Sequence, residues 1–133
     1  MPGYSKTPLF KKLGFKDGMR VYLVDAPEEY LTWVQPLPDV EFVDDPPYDF
    51  VHVFVNKTDR LEELTHQLRH EIISNGMIWI SWYKKASKLP TEITEDIIRD
   101  IVLPTGLVDI KVCSVTDEWS GLKVVIRKEL RKL

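Results

Sequence analysis

His66 and His70 stand four residues apart on one helical stretch, the spacing at which two imidazoles can share a metal ion. Between them lie Gln67-Leu68-Arg69, so the glutamate that acts as general base in His-Glu-x-x-His enzymes is missing. Both histidines also fall off the Leu61/Leu64/Leu68 stripe, and a solvated helix face accounts for them better than a metal site. Ser81 and Ser120 lack a Gly-x-Ser-x-Gly context, which leaves hydrolase chemistry without support. Cys113 alternates with Val112 and has no histidine near it, the pattern of an inert buried thiol. Lys84-Lys85, together with a helix start at Thr58, could hold an anion, although paired lysines also suit a solvated loop. Trp79 lies in an apolar run and reads as core, whereas Trp82 at a strand end and Trp119 in a link are candidates to contact a ligand or a protein.

The elements that must carry these residues follow from periodicity. The stretch 61–82 holds an amphipathic helix with Leu61, Leu64, Leu68 and Ile72 at helical spacing. An Asn75-Gly76 stop and the apolar strand Met77–Trp82 follow. A second apolar strand, Phe50–Val55, precedes the helix, so the unit is a βαβ crossover and its strands are parallel. Upstream, a short helix runs from Pro8 to a stop at Gly14, and a first strand covers Met19–Val24. Asp25-Ala26-Pro27-Glu28 opens a helix reaching about Val34, with Tyr30, Leu31 and Val34 on the sheet, and a short strand spans Val40–Val43. Downstream, Ile93, Ile97, Ile98 and Ile101 mark a helix that Pro104 ends. Two alternating strands, 107–115 and 121–128, then form an antiparallel pair toward a sheet edge. The fold class expected is α/β, a single Rossmann-like three-layer domain over 1–133.

The chain has 133 residues, 44% hydrophobic and 29% charged, enough for one core without disulfides or metal staples. A net charge of −3 with mixed signs argues against general binding to nucleic acid or anionic membranes. One cysteine excludes an internal disulfide. The start, Met-Pro-Gly-Tyr-Ser-Lys, has no apolar core of a signal peptide, so a cytoplasmic protein is expected.

Tyr48–Val55, the helix ending Ser74-Asn75-Gly76, the Met77–Ile80 strand, Gly106-Leu107-Val108 and Gly121–Ile126 resemble the later strands and helix of the class I methyltransferase fold. At whole-chain level the sequence is similar to a family of short bacterial proteins of unknown function. That likeness rests on Gly3-Tyr4-Ser5, Thr7-Pro8-Leu9, Lys11-Lys12-Leu13-Gly14, Gly18-Met19-Arg20-Val21, Trp82–Ser87, Thr94-Glu95-Asp96 and Trp119–Lys123. The methyltransferase resemblance implies a glycine-rich turn after the first strand, where this chain instead has Asp25-Ala26-Pro27-Glu28-Glu29. Asp44 follows the second strand, as the ribose-binding acid of the fingerprint does, and also suits a turn before Pro46-Pro47.

Ligands of open α/β sheets sit beyond the carboxyl ends of the strands. In the methyltransferase-like order that mouth gathers Asp25, Glu28, Asn56, Lys57, Thr58, Trp82, Lys84 and Lys85, with Asp44 and Trp119 as further candidates. Because the cofactor turn is damaged, we expect a non-catalytic protein without a cofactor that binds a small molecule or another protein at this mouth. The alternatives are an S-adenosylmethionine-dependent methyltransferase with an aberrant loop and a structural subunit that pairs as a homodimer.

Overall fold

The computed structural model describes residues 7–131. Gly3-Tyr4-Ser5, one piece of the family resemblance, lies outside the described residues. Six strands form one sheet: β1 (Arg20–Val24), β2 (Glu41–Phe42), β3 (Tyr48–Phe54), β4 (Ile72–Tyr83), β5 (Leu107–Ser114) and β6 (Trp119–Ile126). Their order is β2-β1-β3-β4-β6-β5, with the first four parallel and β6 running against both its neighbours. Val51 of β3 lies level with Tyr22 of β1 and Ile78 of β4, so the three strands that anchor the crossover argument are side by side and point the same way. The protein is a single Rossmann-like α/β domain. Among the described residues, no helix is long and apolar enough to cross a membrane.

Helices α1 (Leu9–Leu13) and α2 (Tyr30–Trp33) cover one face of the sheet, and α3 (Thr58–Leu68) and α4 (Glu95–Val102) cover the other. β3 shows why its sequence is almost unbroken in apolar character. Phe50, His52 and Phe54 point into the α1/α2 layer, and Val51 and Val53 into the α3/α4 layer. A central parallel strand must be apolar on both faces. Leu61, Leu64 and Leu68 form the buried stripe of α3, and Ile98 and Val102 that of α4. Thr94 caps α4, its hydroxyl accepting the Ile97 N–H at 3.2 Å.

Two sequence expectations change. Asn75-Gly76 does not stop a helix: α3 ends at Leu68, Ile72 begins β4, and the pair sits in a bulge of that strand. A Cβ on Gly76 would lie 3.0 Å from the Ile73 carbonyl and 3.2 Å from the Tyr48 carbonyl, so close backbone approach selects the glycine. Leu31, expected on the sheet, is 49% exposed, because α2 is a single turn and buries only Tyr30 and, just past its end, Val34. The antiparallel pair closes one side of the sheet, as expected, with β5 as the edge strand and β6 inside it, where Leu122 and Val124 are fully buried.

Candidate functional site

Helix α2 lies on one face and α3 on the other, so strand order reverses between β1 and β3, and the carboxyl ends of these strands flank the crevice. β1 leaves the sheet through Asp25, whose φ of 56° is left-handed. Glycine is the usual occupant of that conformation, and aspartate is one of the few other residues that tolerate it. The chain therefore makes the sharp corner after β1 without a glycine, and Pro27 opens the turn into α2, its carbonyl accepting the Tyr30 N–H.

Beside this corner, β2 stops short of β1 and leaves a cleft of about 570 Å³. Tyr22, Leu31, Phe42 and Val43 give it apolar walls, and Asp44 stands at its lip. Phe42 is 45% exposed, as an aromatic waiting for a partner would be. The acids around the corner are incompletely neutralised. Arg60 pairs with Asp25 at 3.5 Å and Arg20 with Asp45 at 3.2 Å, while Glu28, Glu29 and Asp44 have no ion-pair partner among the described residues.

The β3 side of the mouth is already fastened. The Asn56 side-chain oxygen accepts the Tyr83 N–H at 2.9 Å, and its carbonyl accepts the Glu92 N–H at 2.9 Å. Glu92 in turn accepts the Thr58 N–H at 2.8 Å and faces the Lys57 ammonium at 3.8 Å. Thr58 is the first residue of α3, as expected, and the anion position expected at this helix start is taken by the protein's own carboxylate. Lys84 does not point there: its ammonium donates to the Ser114 hydroxyl at 2.6 Å. The backbone bond to Thr58 holds the Glu92 carboxyl below the usual carboxylate range. The folded state therefore gains stability that is present above the ordinary glutamate pKa and lost as pH falls through the lowered value. Glu92→Ala is expected to lower the melting temperature more at pH 7 than at pH 3. An equal drop at both values in a thermal melt would show that the carboxylate is not the cap.

Trp82 and Trp119, read as free from sequence, are only 7% and 8% exposed. Trp119 packs against Tyr83 and Phe54, at ring-centre distances of 4.3 and 4.9 Å, because it is the first residue of β6 and lies opposite Tyr83 of β4. Trp82 retains an edge toward a second cleft with Lys85. Cys113 is half-buried, and burial pushes its thiol pKa up. Among the described residues, no group of three or more His, Cys, Asp or Glu is arranged to hold a metal ion.

One polar cluster escaped the sequence reading. The Tyr30 hydroxyl lies 2.8 Å from His52 Nδ1, and His52 Nε2 lies 2.8 Å from the Ser81 hydroxyl, all three residues being buried. Neutral imidazole has one N–H and one lone pair, so it can accept from one hydroxyl and donate to the other. A histidine within an otherwise apolar strand was the only signal for this relay.

A sheet of this order, with helices on both faces and one reversed strand near the far edge, defines a Rossmann-like domain of methyltransferase type. Solved structures of that type match the chain over most of both lengths. A candidate type 11 methyltransferase from Sulfolobus solfataricus is 14% identical with a TM-score of 0.63, covering 94% of this chain and 91% of its own. A TehB-like S-adenosylmethionine-dependent methyltransferase from Corynebacterium glutamicum is 10% identical with a TM-score of 0.56, covering 94% and 90%. Magnesium protoporphyrin IX methyltransferase from Synechocystis, solved with S-adenosylmethionine bound, is 12% identical with a TM-score of 0.55, covering 89% and 74%. No family model and no curated protein matches the chain.

At these identities the likeness shows the fold. It nevertheless overturns the expectation of a non-catalytic protein without a cofactor, since solved methyltransferases share this fold over 74–91% of their own length. The physical case for that expectation also weakens. It rested on a missing glycine corner, and Asp25 makes that corner with its left-handed φ.

Proposed function

We propose that the protein binds S-adenosylmethionine in the β1/β2 cleft and transfers its methyl group. The observation that carries this reading is the left-handed corner at Asp25 beside an apolar cleft with an unpaired acid at its lip. S-adenosylmethionine is a net cation near pH 7, with a sulfonium, an ammonium and one carboxylate, so an acidic rim attracts it where it would repel a dinucleotide. The residues present fit the group. Asp44 suits the ribose hydroxyls as a hydrogen-bond acceptor, Phe42 and Leu31 offer apolar cover to the base, and Glu28 and Glu29 offset the positive charge. When bound, the cofactor supplies an electrophilic methyl on sulfur. What remains for the chain is to orient it and exclude water, since methyl transfer to a positioned nucleophile is largely a matter of alignment.

Isothermal titration with S-adenosylmethionine is expected to give saturable binding. Asp44→Asn should weaken it about ten- to a hundredfold, the range for one charged hydrogen bond. Absence of saturable heat at millimolar cofactor, with the protein folded, would remove the reading.

A further inference from the structure

Beyond the carboxyl end of β4 lies a second cleft, of about 600 Å³, between the 85–91 loop and the start of α4. Its floor is apolar: the edge of Trp82 with Leu89, Pro90 and Ile93. Its rim carries Lys85 and Lys88, and neither ammonium has a hydrogen bond or ion pair among the described residues. The acid on the rim, Glu95, is held by Arg99 at 3.2 Å, so the charge presented to a guest is positive. That sign runs against a chain of net charge −3 and against the acidic lip of the β1/β2 cleft.

The loop that presents the lysines is fixed. Lys85–Ser87 form a single 3₁₀ turn, the Ser87 hydroxyl donates to the Lys84 carbonyl at 2.7 Å, and the Leu89 N–H donates back to that hydroxyl at 3.2 Å. Pro90 and Thr91 also line a smaller hollow of about 220 Å³ with Asn56 and Lys57, so the two hollows share a wall.

We infer that the β4 cleft binds a flat, apolar molecule carrying an anionic group, its ring system over Trp82, Leu89 and Ile93 and its anion between Lys85 and Lys88. Naming this molecule the methyl acceptor rests on the proposed function; the chemistry of the cleft does not. Two unpaired cations over an apolar floor select for charge and shape together. A neutral aromatic forfeits the lysines, and a small inorganic anion forfeits the floor.

Two fluorescent probes separate these contributions: 1-anilinonaphthalene-8-sulfonate, which is flat and anionic, and N-phenyl-1-naphthylamine, its uncharged relative. The native protein is expected to bind the sulfonate saturably. The double variant Lys85→Gln/Lys88→Gln should bind it about tenfold or more weakly while binding the neutral probe as before. Leu89→Asp, at a lining residue that is 37% exposed, should lose both probes, with near-ultraviolet circular dichroism to confirm the fold. Sulfonate binding indifferent to the lysine pair, or equal native affinity for the two probes, would overturn the inference. Titration of the lysine variant with S-adenosylmethionine keeps the two readings apart. A lysine-dependent sulfonate site in a protein that ignores the cofactor upholds the cleft and sinks the methyl-transfer reading. Cofactor binding with lysine-independent sulfonate binding does the reverse.

Discussion

His52→Leu is expected to destabilise the fold by about 2–5 kcal/mol, because the Tyr30 and Ser81 hydroxyls would each keep a buried polar atom with its partner gone. The same substitution should change how stability depends on pH. Burial lowers the His52 pKa to about 3, against an ordinary value of 6.5. Between those values the unfolded chain binds a proton that the folded chain refuses, so stability is full above about pH 6.5 and declines as pH falls. The slope approaches ~1.4 kcal/mol per pH unit. Urea unfolding at pH 7.0, 6.0 and 5.2 should show this decline in the native protein and much less of it in the variant. The interval lies above the carboxylate range, which isolates the histidine. Equal slopes in the two proteins would mean that the imidazole is charged or hydrated in the fold, against its burial.

Trp79→Ala is expected to cost about 3–5 kcal/mol, a large share of the stability of a domain this size. Trp79 is fully buried, and its indole N–H donates to the Leu13 carbonyl at 2.7 Å, tying β4 to the end of α1. Its ring also presses against Gly121, where a Cβ would come within 3.2 Å, so β6 is shaped around it. Trp79→Phe keeps most of the volume but leaves the Leu13 carbonyl unsatisfied, and should cost about 1–3 kcal/mol. A Trp79→Phe protein with an unchanged urea midpoint would show that the tie to α1 contributes nothing.

Much of the architecture was legible because parallel strands advertise themselves. Phe50–Val55 and Met77–Trp82 are apolar without alternation, which only burial on both faces explains. The helix boundaries were harder wherever long-range contacts decide them. Glu92 caps α3 from 34 residues away, a contact that no pattern local to Thr58 announces. Asn75-Gly76 carries a helix-stop signature but serves a bulge, since the glycine answers to the Tyr48 carbonyl on the neighbouring strand. The same limit applied at the site. Without coordinates, Asp25 counted as a missing glycine, whereas its left-handed φ shows that an aspartate can hold the corner. Lys84 and Lys85 looked equivalent in sequence. The structure sends the first to Ser114 and leaves the second facing a cleft.

The outer edge of the sheet has one irregularity with a wider consequence. Asp109 and Lys111 of β5 lie opposite Val124 and Lys123, consecutive residues of β6, so Ile110 is an extra residue in the edge strand. An incoming strand would find the row of free amides and carbonyls out of step at its midpoint. Ile110 and Val112 are 54% and 48% exposed there, a greasy rim that on a regular edge would invite chain-on-chain stacking into fibres. One surplus residue thus sets this apolar margin out of register with the regular ladder that sheet extension needs.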